Sequence, residues 1–205
     1  MPARTATLDW PDLPDQDQMS VKEFLGFTSS RPDEEKWELI EGRPVMQAAP
    51  SMPHQTIVTN IILILGAERK RLKASWRPIP GIGTLARLPK PSLPQPDVMV
   101  LGAGAAIDYS NTTDNAPVLF EILSRSNTKA DQAWRRKAYA SVPICQHYVT
   151  IDQKRVQIVR YDRNTGWQPV EIVEIVATLD LPALGARLPI SEIYADTPLA
   201  KTGKA

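Results

Sequence analysis

Two short runs constrain this chain most: Val98 to Leu101 and Val118 to Leu123. Both are apolar almost throughout, and strands of that kind are covered on both faces of a sheet. Each carries an acid where apolar residues should stand. Asp97 opens the first run and Glu121 interrupts the second. A carboxylate in or beside a buried strand costs several kcal/mol unless it is paired or binds a cation. Glu38, in Lys36-Trp37-Glu38-Leu39-Ile40, is a third acid in an apolar setting. Asp131 opens a fourth stretch that is rich in cations: Arg135, Arg136 and Lys137. Acids collected at strand ends suit a divalent metal held through oxygen.

The flanking pattern sets these runs in an α/β fold. Residues 1–17 are rich in Pro and Asp and read as a flexible arm. Ser20 with Glu23 forms a capping box that starts a short helix. Residues 36–41 and 43–48 flank Gly42 as a hairpin. From about His54 to Leu72, Ile57, Val58, Ile61, Ile62 and Leu65 line one broad helical face. Strands are expected at about 75–79 and 82–88, before a proline-rich connection that leads to Asp97. Lys129 to Ser141 is helical. Strands follow at 145–152, 155–161 and 168–174, then a short helix at Ile190 to Tyr194. Neither an internal repeat nor a linker divides residues 18–198. The expectation is one domain: a mixed central sheet with helices on both sides.

Composition narrows the function. The net charge is only +1 over 205 residues, so any contact with DNA must come from a local basic patch. The single cysteine, Cys145, excludes an internal disulfide and a Cys-rich zinc site. Two histidines, His54 and His147, are too few for a His-rich metal site. The start of the sequence has no apolar signal region, and the run Ile61 to Ala67 is far too short to span a bilayer. A cytoplasmic protein without a membrane partner is expected.

Six segments in order, Met19–Leu25, Trp37–Met46, Ala49–Gln55, Gln95–Val100, Glu121–Asn127 and Leu188–Tyr194, together with Asp131 and Tyr139, carry a resemblance. The chain resembles the Uma-two family of restriction-endonuclease-like proteins, a branch of the PD-(D/E)XK nuclease-like superfamily, from about residue 19 to 196. The resemblance implies a restriction-endonuclease-like fold and a Mg²⁺- or Mn²⁺-dependent endonuclease acting on DNA, plausible as a homodimer with one site per strand. Asp97 after Pro96 matches the PD element and Glu121 the (D/E) position, so both would hold the metal. Glu38 would support them. The superfamily lysine position, two residues after Glu121, holds Leu123. The family's alternative lysine position, four residues after Asp131, holds Arg135. The family's usual Pro and Thr are replaced by Arg125 and Asn127. Arginine grips phosphate but stays protonated and cannot serve as a base. Catalytic candidates are therefore Glu38, Asp97, Glu121 and Arg135. The accessory candidates are His54, Lys129, Asp131, Lys137 and Tyr139.

Two rivals follow from the missing lysine and the near-neutral charge. One is a catalytically impaired endonuclease fold that serves as a nucleic-acid or protein binding module. The other is a metal-dependent hydrolase with a substrate other than DNA.

Overall fold

A computed structural model describes residues 18–32, 34–124 and 127–203. The expected arm at 1–17 and the substituted position Arg125 lie outside them. In chain order the elements are α1 (Val21–Thr28), β1 (Trp37–Ile40), β2 (Arg43–Met46), α2 (Met52–Leu72), β3 (Arg77–Pro80) and β4 (Gly83–Thr84). Next come β5 (Val98–Leu101), β6 (Thr112–Thr113), β7 (Val118–Leu123), α3 (Lys129–Ala140), β8 (His147–Asp152) and β9 (Ile158–Asp162). The chain continues through β10 (Pro169–Ile172), β11 (Thr178–Leu181), β12 (Ala186–Pro189) and α4 (Ile190–Ile193).

Six of these strands form one sheet in the order β10-β9-β8-β7-β5-β3. Only β7 and β8 run parallel within it; the other neighbours are antiparallel. The parallel pair requires a crossover, and α3 supplies it. The mixed α/β sheet expected from the sequence is therefore present, and β5 and β7 have the expected bounds.

Side chains alternate across the sheet. Val98 and Val100, then Val118, Phe120 and Ile122, then Val149 and Ile151, face the side covered by α2. That helix contributes Ile57, Ile61, Ile64 and Leu65, and the β11–β12 hairpin and α4 close the same core. Met99, Leu101, Leu119 and Tyr148 face the other side, where Tyr139 of α3 and Val142 cover them. Burying each such large apolar side chain contributes about 1.5–3 kcal/mol.

The helices start where capping chemistry dictates. The Ser20 hydroxyl accepts from the Glu23 amide, and the Glu23 carboxylate accepts from the Ser20 amide. Ser51 caps α2, and Thr128 caps α3 by accepting from the Asp131 amide. The strand expected at 82–88 shortens to Gly83–Thr84, because its partner β6 offers only Thr112–Thr113 for pairing. The β11–β12 hairpin is an addition to the sequence reading.

Candidate active site

Register places the two strand acids side by side. Val98 pairs with Phe120 across β5 and β7, so one step further Asp97 opposes Glu121. The Asp97 amide donates to the Phe120 carbonyl at 3.0 Å, and its Oδ2 accepts from the Ile122 amide at 2.8 Å. Gly81 makes this approach possible: a Cβ there would fall 1.6 Å from the Pro96 carbonyl oxygen. The proline-rich segment is pinned from its other side by Leu39 and Leu93, which exchange both backbone hydrogen bonds. That bridge brings Glu38 of β1 into the site, where its Oε1 accepts from the Gln95 amide at 2.6 Å.

Helix α3 supplies the centre. Asp131, Arg135, Ala138 and Tyr139 share the buried stripe that spacings of three and four residues produce. Arg135 is almost wholly enclosed, and its guanidinium meets three carboxylates. Nη1 and Nη2 grip Glu38 at 3.0 and 2.6 Å, Nη1 reaches Glu121 at 2.9 Å, and Nε reaches Asp131 at 3.2 Å. The Tyr139 hydroxyl donates to Glu121 Oε1 at 2.6 Å. Both bonds to Glu121 therefore converge on one oxygen. Arg135 is not presented to a substrate phosphate; it is the internal cation that holds three acids in place.

Asp97 has different partners. His54, in the first turn of α2, sets Nε2 3.2 Å from its Oδ2, and Lys36 sets Nζ 3.8 Å from its Oδ1. Burial would raise the Asp97 carboxyl, but the His54 contact, the Lys36 charge and the Ile122 amide outweigh it and hold it below the usual carboxylate range. Glu121 goes the other way. Burial is the main cause, opposed by Arg135 and reinforced by the charges of Asp97 and Glu38, and it lifts the Glu121 carboxyl to about 8. Burial alone would lower Arg135, yet the charges of Glu121 and Glu38 raise it well above its ordinary range. Burial and the Glu121 charge push the Tyr139 phenol upward as well.

The site thus gathers Glu38, Asp97, Glu121, Asp131, Arg135, Tyr139 and His54. Lys129 and Lys137 are exposed on α3 and stand outside this cluster. Lys36 was missed by sequence reasoning, because only its long-range contact with Asp97 marks it. Cys145 is buried, and burial pushes its thiol up to about 12, as inert packing requires. His147 is likewise structural: Nδ1 lies 2.6 Å from Asp162, and Nε2 accepts from the Ala183 amide.

The electrostatic balance bears on a metal. Four carboxylates face one buried guanidinium, one half-exposed ammonium and the His54 imidazole; burial first, and then the charges of Asp97 and Glu38, raise Glu121 against the pull of Arg135. Among the described residues no three His, Cys, Asp or Glu side chains converge as a ready-made metal cage. Asp97 and Glu121 are a pair of hard oxygen donors, and Mg²⁺ characteristically takes one or two carboxylates and keeps several waters. The donor set fits such an ion.

A comparison with families of known sequence matches residues 21–191 to Uma2, described as "Putative restriction endonuclease". The chain belongs to this family. The Uma2 match spans α1 to α4 and so contains every element that builds the site. Among solved structures, the chain is similar to a nuclease of DUF820 from Anabaena variabilis ATCC 29413, titled "putative". The two share 16% identity with a TM-score of 0.69, over 86% of this chain and 98% of that one. At that identity the likeness establishes the shared fold. No curated protein matches the chain.

Proposed function

We propose that this Uma2 protein is a divalent-metal-dependent endonuclease that hydrolyses DNA phosphodiester bonds. The observation that carries this reading is the largely buried cross-strand pair Asp97–Glu121, with Glu38 beside it. Asp97 and Glu121 would hold Mg²⁺ or Mn²⁺. The ion would lower the pKa of a bound water and neutralise charge on the phosphate. Arg135 and Tyr139 keep Glu121 oriented, and Arg135 fixes Glu38. Lys36 takes the place of the lysine missing at 123 and 135, because it is the cation next to Asp97 that also reaches solvent. His54 holds the Asp97 carboxylate from the α2 side. A homodimer in the cytoplasm, with one site per DNA strand, completes the proposal; among the described residues no helix is long and apolar enough to cross a membrane.

One observation favours the rival binding module. Arg135 already occupies three of the acids as an internal cation. Nicking of supercoiled plasmid in Mg²⁺ and Mn²⁺ separates the two readings, with Asp97→Asn as the blank. The nuclease reading expects wild-type nicking above that blank, and a loss of nicking in Lys36→Ala. Wild type equal to the blank in both metals hands the fold to the binding-module reading.

A further inference from the structure

A cleft of about 370 Å³ opens on the α3 side of the sheet, beside the acid cluster. Its floor continues the strand rung that carries Glu121. Thr150 of β8 is the register partner of Glu121, and Val159 of β9 is the partner of Thr150; both line the cleft. One wall is Asn127 and the first turn of α3 with Lys129; the other is the β8–β9 turn with Lys154 and Arg155. Asn127 joins the two regions, since its Nδ2 donates to Asp131 at 2.9 Å.

The charges in the cleft are opposite to those of its neighbour. Arg155 is balanced by Asp152 at 3.0 Å. Lys129 and Lys154 are exposed and have no acidic partner among the described residues. The cleft is therefore a local basic patch on a chain whose net charge is only +1. Acids that hold a metal repel the rest of a polyanion, so a strand needs cations nearby to stay in place. The volume lies at the small end of ligand pockets. It has room for a single nucleotide unit of one strand, the rest of the DNA lying outside it.

We propose that this cleft binds the nucleotide next to the scissile bond, with its phosphate on Lys129 and Lys154. The proposal rests on the nuclease reading and names where the substrate strand leaves the acids. Lys129, which does not reach the acid cluster, acquires a role as a strand-binding residue.

The test uses the Asp97→Asn protein, so that binding is read without cleavage. Fluorescence anisotropy with a labelled DNA duplex is compared for Lys129→Glu, Lys154→Glu and the double variant, with Lys70→Glu on α2 as a charge control. Thermal melting confirms that each variant folds. Each cleft substitution should weaken binding about fivefold, the double variant about twentyfold, and the salt slope should fall by about 1 per lysine. Lys70→Glu should bind as the parent does. The proposal is overturned if the parent binds no DNA, if the double variant binds as tightly as the parent, or if Lys70→Glu loses as much. Plasmid nicking in parallel separates the two readings. Lost binding in the cleft variants with no wild-type nicking removes the nuclease and leaves the cleft. Intact nicking with unchanged binding removes the cleft and leaves the nuclease.

Discussion

The two faces of the central sheet are built from the same strands yet held together by different physics. On the α2 face, Ile57, Ile61, Val98, Phe120 and Val149 pack in one apolar cluster, with a buried polar pair, His147–Asp162, only at the end of β8. On the α3 face, the positions next in register are Asp97 and Glu121, and the covering helix offers Arg135 and Tyr139 to them. The apolar face gains stability wherever volume is filled. The polar face gains it only if every partner is present, because an unpaired buried charge costs more than the pair contributes. One sheet thus carries a tolerant side that makes the fold and an exacting side that makes the site.

Removing one member from each face should break this comparison most visibly. Arg135→Ala leaves Glu38, Glu121 and Asp131 without their shared cation and should cost about 3–5 kcal/mol at pH 8 by urea unfolding. Near pH 5 the loss should be much smaller, because the orphaned carboxyls can take up protons. Ile61→Ala on the α2 face should cost about 2–5 kcal/mol, with the same value at both pH values. A cost for Arg135→Ala that does not change with pH would erase the distinction between the faces.

The Glu121 shift sharpens it further. Its folded carboxyl sits at about 8, above the ordinary carboxylate range. Between those two values the folded state holds a proton that the unfolded chain has released. The contribution to stability is therefore complete in acid and is lost as pH rises towards 8, with a slope of at most about 1.4 kcal/mol per pH unit. Glu121→Gln should flatten that slope, as read from urea midpoints across the range.

How far the sequence carried the reading depends on which kind of signal a region emits. The runs 98–101 and 118–123 were legible because burial on both faces leaves no polar alternation to confuse. Helix α1 was legible from its capping box and α3 from its spacing. The β11–β12 hairpin was not read, because each strand is four residues long and prolines at 182 and 189 mimic loop. In the site, Asp97, Glu121 and Glu38 stand out as acids in apolar surroundings. The inward burial of Arg135 does not, since Arg135-Arg136-Lys137 looks like a solvated ridge and only the fold decides that the first faces in. Lys36 and the bridge from Leu39 to Leu93 depend on contacts across more than fifty residues, for which local pattern holds no information.

Two smaller effects complete the series. Tyr139→Phe removes the hydroxyl that bonds Glu121 and should cost about 1 kcal/mol, while raising the Glu121 carboxyl further by removing a donor to its charged form. Ile61→Val should cost about 0.5–1.5 kcal/mol and leave metal response untouched. Urea unfolding reads both.

Isothermal calorimetry of Mn²⁺ binding at pH 7, in buffers of differing ionisation enthalpy, tests the central claim that the exacting face is a cation site. The Glu121 carboxyl is raised to about 8, so binding through its carboxylate is expected to release a proton at that pH. The account predicts one ion per chain, release of about one proton, no proton release in Glu121→Gln, and no binding in Asp97→Asn. Absence of binding to the wild type, or the same binding in Asp97→Asn, would contradict it.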